Sequence, residues 1–138
     1  MSRHENVIGI KDSSGDAATV RRLLVHQRPG RFAVLTGSAA GLLEHAALGA
    51  EGAILAVANV AAGLCARVLG ERRPEDQRRV AALHAALQDC SGGQIALLKA
   101  ALAAQGLAGG DCRDPLPRAA APEEVQRMLA SLRQLELV

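Results

Sequence analysis

The chain has 138 residues, of which 49% are apolar and only one is aromatic, and its formal net charge at pH 7 is +2. This composition favours a folded chain over a disordered one, and the small charge, with arginines scattered along the sequence, argues against a nucleic-acid partner. No apolar run approaches the roughly 18 residues of a membrane span, and the first residues are too polar for a secretory signal, so we expect a soluble intracellular protein.

The chain begins with a strand–turn–helix pattern. Residues 7–10 form a short apolar run followed by turn residues, which is typical of a buried strand. Asp16 can cap the helix that follows, and this helix should end near Arg28 because Pro29 and Gly30 interrupt it.

Two further units of the same kind follow. Strands are predicted at residues 32–36 and 52–58, each with a helix after it. The first of these helices ends at Gly49, and the second extends from Asn59 to about Arg72. The spacing leaves room for parallel, right-handed crossovers, so the class is α/β.

After residue 73 the strand signal disappears. We therefore divide the chain into residues 1–73, which carry the β/α units, and residues 74–138, a helical extension. Three parallel strands that are apolar on both faces cannot cover themselves, so the chain is expected to be a fragment or to need another chain. Helices are predicted in the extension at residues 74–89, 94–105 and 122–136.

Lys11 is one of only two lysines among sixteen basic residues, and it directly follows the first predicted strand. Ligands gather at this end of strands in parallel α/β folds. Burial there favours a neutral amine, which can attack a ketone to form an imine, whereas arginine never deprotonates. The alternative is a lysine paired with Asp12 or Asp16. We expect Lys99, the other lysine, to pack its stem and extend its amine into water.

A glycine–serine turn, Gly37 and Ser38, occupies the corresponding position after the second strand. Glycine lets a backbone N–H approach a carboxylate, and a helix start favours an anion. Ser13 and Ser14 could donate hydrogen bonds to the same ligand. Serine and glycine are also common simply as caps at such turns, and that alternative stays open.

The histidines and cysteines predict no metal site. The three cysteines lack a CxxC pair and metal-ligand spacing, so we interpret them as buried or incidental thiols. The four histidines are unclustered and are expected to be solvated or packed on helices; they are His4, His26, His45 and His84.

The run NVIGIKDSSGD, residues 6–16, resembles the sixth-strand motif of the dihydrodipicolinate synthase and N-acetylneuraminate lyase family, whose lysine forms a Schiff base with pyruvate. The resemblance continues through VLTGSAAGLLEHAALGAEGAILAVANV, residues 34–60, and into GGDCRDPLP, so it covers essentially the whole chain. It implies the last three β/α units of a (β/α)8 TIM barrel, followed by a helical C-terminal extension. A complete barrel needs about 250 residues.

The resemblance also implies a site without metal or cofactor. Lys11 would be the Schiff-base lysine, Ser13 and Gly37 would contact the keto-acid substrate, and the backbone of Ile54 would line the pyruvate pocket. Ser38 is a weaker candidate beside them. The implied partner is a small 2-oxo acid such as pyruvate, with a homo-oligomer, dimer or tetramer, when the protein is complete. The implied location is cytoplasmic or, alternatively, mitochondrial.

Within the family the chain looks most like 4-hydroxy-2-oxoglutarate aldolase, because Ser38, Ala39 and Ala40 follow Gly37 where synthase members usually carry an acid. The implied reaction is cleavage of 4-hydroxy-2-oxoglutarate to pyruvate and glyoxylate. One alternative is 4-hydroxy-tetrahydrodipicolinate synthase, which condenses pyruvate with aspartate semialdehyde. Another is a non-catalytic partner fragment.

The sequence departs from the family pattern in three respects. It contains neither the first five strands, with the hydroxyl pair that grips the substrate carboxylate, nor any tyrosine to relay a proton. The usual proline before the helix that bears Lys99 is also missing, and Gln94, Ile95 and Ala96 occupy that stretch. We therefore expect the chain alone to be inactive and poorly soluble.

Overall fold

The computed structural model describes residues 4–28, 30–90 and 93–137. Within them, strands and helices alternate through the first half and only helices follow, so the α/β class is confirmed. In chain order the elements are β1 (Gly9–Asp12), α1 (Ala17–Leu24), β2 (Ala33–Thr36), α2 (Leu42–Leu48), β3 (Gly52–Ala53), α3 (Ala58–Glu71), α4 (Pro74–Gln88), α5 (Gln94–Ala104) and α6 (Pro122–Gln134).

The three strands form one parallel sheet in the order β1-β2-β3. Lys11 lies opposite Leu35, and Thr36 lies opposite both Asp12 and Ala53. Because all three strands run the same way, their carboxyl ends meet at one edge of the sheet, which is where parallel folds place their ligands.

Two strands differ from the sequence prediction. The first was predicted at residues 7–10 but ends at Asp12, so Lys11 lies within it rather than after it. The third was predicted at residues 52–58 but has only two residues. The N–H of Ile54 still donates to the carbonyl of Thr36 at 2.9 Å. Because β2 ends at Thr36, the chain beyond this point has no strand to pair with.

Asp16 caps α1, as predicted. Its carboxylate accepts the backbone N–H groups of Ala18 at 3.1 Å and Thr19 at 3.0 Å, and the Thr19 hydroxyl at 2.7 Å. The hydroxyl of Thr19, followed by these two N–H groups, holds the pKa of Asp16 below its usual range. The cap therefore stabilises α1 above the ordinary carboxyl pKa, about 3.9, and this contribution is lost as the pH falls through the lower folded value.

α1 ends at Leu24, earlier than the predicted end near Arg28. Arg28 instead forms an antiparallel bridge with Phe32, whose N–H donates to the Arg28 carbonyl at 2.8 Å. The chain reversal that forms this bridge is incompatible with a longer helix.

The predicted end of α2 at a glycine is confirmed, because Gly49 adopts the left-handed conformation with φ 114°.

The chain divides into two compact units. The first comprises Met1–Leu55 and Cys65–Gln77, and the second comprises Ala56–Leu64 and Arg78–Val138. The predicted boundary after residue 73 stays a prediction. The first unit buries apolar side chains that include Val20, Phe32, Val34, Leu42, Ala46 and Val68. The second buries others that include Val57, Leu64, Val80, Leu83, Leu87, Leu97, Met128 and Leu132.

α3 carries a kink at Ala61, where φ is −143° and ψ is 43°. Among the described helices, none combines the length and apolar character that crossing a membrane requires.

Candidate functional site

Lys11, Ser13 and Gly37 meet at the carboxyl end of the sheet. A β-carbon placed on Gly37 would lie 2.6 Å from Cε of Lys11 and would also collide with the Ser13 hydroxyl oxygen. The N–H of Gly37 donates to the Asp12 carbonyl at 2.6 Å, which extends the pairing of β1 and β2 by one step. Only glycine at position 37 leaves room for the lysine side chain and the serine hydroxyl together.

The amine of Lys11 is less buried than expected. Both Lys11 and Ser13 are exposed, because β1 is an edge strand of the three-stranded sheet. The expectation of a buried lysine is therefore wrong for this chain taken alone. Further protein over this edge would be required to exclude water from the amine.

The two carboxylates near Lys11 have other partners. Asp12 accepts the Ser14 hydroxyl at 2.7 Å, and Asp16 caps α1. Within the described parts of the chain, neither forms an ion pair with Lys11. Ser14, predicted to donate to a ligand, is thus occupied locally, whereas Ser13 faces Gly37.

Ser38 has a local structural role. Its N–H donates to Oγ1 of Thr36 at 3.1 Å, and its hydroxyl oxygen accepts the N–H of Gly41 at 3.1 Å. The alternative of a capping serine therefore describes its side chain. A β-carbon on Gly15, whose φ is 73°, would lie 3.5 Å from the Ser38 hydroxyl oxygen, so the turn after β1 closely approaches the turn after β2.

Ile54 follows β3 at the same edge of the sheet. Its side chain is 53% exposed, and its N–H is held by Thr36. Lys11, Gly37 and Ile54 thus lie at or just after the ends of three adjacent strands. Lys11 and Ser13 both lie close against Gly37, and Ile54 lies next along the edge.

A hydrogen bond between two buried residues next to this edge was not predicted from the sequence. Oγ1 of Thr36 and Nδ1 of His45 lie 2.7 Å apart. His45 is packed on its helix, which is one of the two environments expected for it. Helical spacing was the available signal, because Leu42, His45 and Ala46 share the buried face of α2.

Gln77, from α4, binds the backbone of the turn that follows Ser38. Its amide nitrogen donates to the carbonyls of Ala39 at 3.0 Å and Ala40 at 2.9 Å. Its amide oxygen accepts the N–H of Leu43 at 3.0 Å. Gln77 thereby satisfies backbone groups at the start of α2, where no N-cap side chain does so.

Lys99 is half-buried, as expected from the sequence, and it also has a structural role that was not predicted. Nζ donates to the carbonyls of Gly109 at 2.7 Å and Asp111 at 3.1 Å. The segment after α5 returns closely enough that Gly109 packs directly on the Lys99 backbone, with no space for a β-carbon.

Cys65 and Cys112 are free and buried, and Cys90 is half-buried. Burial raises the pKa of the Cys65 thiol, which makes it a poor nucleophile. Cys90 donates to a carboxylate oxygen of Glu124 at 3.0 Å. Across residues 4–28, 30–90 and 93–137, no group of three or more His, Cys, Asp or Glu side chains is placed to hold a metal ion.

A cavity of about 360 Å³ lies at the opposite end of the strands from Lys11. Its lining residues precede β1 and β2, and ligands of parallel sheets bind at the carboxyl ends, so we assign it no function. The lining comprises His4, Glu5, Val7, Ile8, Arg28, Gly30 and Arg31.

A sequence model of the Dihydrodipicolinate synthetase family matches residues 1–134. A 4-hydroxy-tetrahydrodipicolinate synthase from Gluconacetobacter diazotrophicus is 33% identical over 127 residues, which are 84% of this chain and 41% of that protein. One from Methanoculleus marisnigri is 34% identical over 84 residues, 61% of this chain and 29% of that protein.

Solved structures show the same relationship. A Thermus thermophilus chain, provisionally named a dihydrodipicolinate synthase, is 37% identical with a TM-score of 0.80, and the match covers 99% of this chain and 50% of that one. The chain thus spans half or less of the length of these relatives. Because the family match extends over nearly every residue, the chain belongs to the Dihydrodipicolinate synthetase family.

Proposed function

We propose that this chain carries the imine-forming half of a carbon–carbon lyase that acts on pyruvate-derived 2-oxo acids. The observation that carries the proposal is the contact of Lys11 with Gly37 and Ser13 at the carboxyl end of a parallel sheet. The only other lysine of the sequence, Lys99, is held by two backbone carbonyls.

The chemistry requires a neutral amine at this position. The Lys11 nitrogen adds to the C2 carbonyl of pyruvate, and loss of water gives an imine. Loss of a proton from C3 then gives an enamine, whose carbon attacks an aldehyde; the reverse sequence cleaves the same bond. Hydrolysis of the imine returns the lysine. The Ser13 hydroxyl, which lies close to Gly37 as Cε of Lys11 does, would hold the substrate carboxylate, and Gly37, whose own N–H is bonded to Asp12, leaves space for it.

We further propose that β1, β2 and β3 are the last three strands of a (β/α)8 barrel and that residues 74–138 form a helical extension to it. This is supported by relatives of at least twice the length and by the exposure of Lys11 on an edge strand. The five earlier strands would cover this edge and exclude water from the amine.

The comparisons favour the synthase reaction, condensation of pyruvate with aspartate semialdehyde, because the curated relatives bear that name. The second candidate is cleavage of 4-hydroxy-2-oxoglutarate, the reaction expected from the sequence. The observation that favours it is the uncharged stretch Ser38, Ala39 and Ala40 after Gly37, where the hydroxyl of Ser38 is already bonded to Gly41.

The test is an assay of a completed barrel, in which this chain is joined behind the N-terminal strands of the Gluconacetobacter diazotrophicus synthase. We expect a higher kcat/KM for pyruvate with aspartate semialdehyde than for glyoxylate release from 4-hydroxy-2-oxoglutarate. Faster cleavage would select the second candidate. A folded barrel with neither activity would support the third possibility, a non-catalytic partner fragment.

Replacing Gly37 by alanine should lower turnover of the completed barrel on the order of 100-fold, the cost of displacing a reacting group by about 1 Å. The new β-carbon would force Lys11 and Ser13 apart. Steady-state kinetics measures the effect. The matched control is Gly70→Ala in α3, where a β-carbon meets no atom within 4 Å. Equal activity of the two variants would show that Gly37 does not set the position of the lysine.

A further inference from the structure

A buried polar pair lies directly behind the turn that faces Lys11. Thr36 is 1% exposed and His45 is fully buried, and Oγ1 of the threonine lies 2.7 Å from Nδ1 of the histidine. The same Oγ1 accepts the N–H of Ser38 at 3.1 Å. One hydroxyl group therefore connects α2 to the backbone immediately after Gly37.

The second ring nitrogen of His45, Nε2, is expected to lower the stability of the fold. Nε2 of His45 is buried and has no hydrogen-bond partner among the described residues. A buried polar atom without a partner costs free energy that a leucine at this position would avoid. The hydrogen bond to Thr36 is the compensating interaction that the described structure offers.

The turn is shaped around the imidazole. A β-carbon on Gly41 would lie 3.0 Å from both Cε1 and Nε2 of His45, tighter than side chains normally pack. The carbonyl of Gly41 accepts the N–H of His45 at 2.8 Å, and its N–H binds the Ser38 hydroxyl. The histidine is thus enclosed by the same turn that presents Gly37 and Ser38 at the edge of the sheet.

We propose that His45 is a positioning residue of the Lys11 site, acting through Thr36 to fix the Gly37–Ser38 turn against the lysine. The inference rests on the proposed function. His45 is fully buried and holds the backbone of the turn that packs against Lys11. Loss of the link lets Gly37 move relative to Lys11 and weakens substrate binding more than it lowers the maximal rate.

The experiment compares Thr36→Val with Thr36→Ser in the completed barrel, which contains the full chain. Valine keeps the shape but removes both hydrogen bonds, whereas serine keeps the hydroxyl. Borohydride trapping of the Lys11–pyruvate adduct is measured over a range of pyruvate concentrations. We expect Thr36→Val to raise the half-saturating pyruvate concentration by at least about fivefold, the factor that corresponds to the loss of a single buried hydrogen bond. Its maximal trapping rate should change less than the half-saturating concentration, and serine should restore the original value.

Hydrogen exchange gives a second readout that does not depend on chemistry. The amides of residues 38–41 should exchange faster in Thr36→Val and in His45→Leu than in the parent, and His45→Asn, which keeps a polar atom near the Nδ1 position, should recover protection. If Thr36→Val fails to fold, the His45 pair makes the same comparison for trapping.

The outcomes separate the two proposals. A parent barrel that forms no adduct on Lys11 refutes the proposed function, and this inference with it. A parent that forms the adduct, with variants of unchanged half-saturating concentration, overturns the positioning role alone. A lower maximal yield without a change in half-saturation would show that the pair only supports folding, and would overturn it equally.

Discussion

Replacing Lys11 by arginine in the completed barrel should abolish the borohydride-stable adduct with pyruvate and lower turnover on the order of 1,000-fold or more. The guanidinium group keeps the charge and a similar length but never offers a free lone pair, so no imine can form. Among the residues that the structure describes, Lys11 forms no ion pair with Asp12 or Asp16, so the substitution breaks no such pair. Mass spectrometry after borohydride reduction locates the adduct.

Lys99→Arg is the matched control for this experiment. Arginine can still donate to the carbonyls of Gly109 and Asp111, so the fold of α5 and the segment after it should survive. We expect the adduct on Lys11 to form in this variant as in the parent. A parent adduct mapped to Lys99 instead would refute the assignment of the nucleophile.

Much of the fold could be predicted because apolar runs and turn residues alternate clearly along the first half of the chain. The end of α2 at Gly49 and the cap at Asp16 are set by local chemistry within a few residues, and both predictions were correct. The predicted ends of the first and third strands were wrong, because a strand ends where its hydrogen-bonded pairing with a neighbouring strand ends. β3 stops when β2 ends at Thr36, whatever the apolar character of residues 54–58.

In the site, too, local features could be predicted and long-range contacts could not. The sequence shows that a glycine follows the second strand at position 37, but its proximity to Lys11 and Ser13 depends on the register of β1 and β2. Thr36 and His45 each look ordinary alone, and the bond between them is visible only when α2 packs on the sheet. The burial of the lysine was overestimated because the motif around it does not specify what covers β1.

The isolated 138-residue chain should be inactive and should aggregate, whereas the completed barrel should stay monodisperse and active. A barrel closes its sheet on itself, and three strands leave unpaired backbone groups along both edges. Apolar side chains are already open to water at Ile8, which is 79% exposed, and at Ile54. Size-exclusion chromatography and thermal unfolding, with pyruvate turnover measured on the same samples, compare the two proteins.

The expected instability follows from the size of the uncovered surface. Burial contributes about 25 cal/mol per Å² of apolar area, so a sheet face left open forfeits several kcal/mol, comparable to the whole stability of a small domain, about 5–15 kcal/mol. The helices after Pro74 bury their own apolar residues, among them Leu83, Leu97 and Leu132, and should keep native-like helical content. On the proposed mechanism Lys11 would still add to a ketone, but the sequence contains no tyrosine for the proton relay that the family resemblance implies. A monomeric chain with one sharp thermal transition and aldolase turnover would contradict both parts of this prediction.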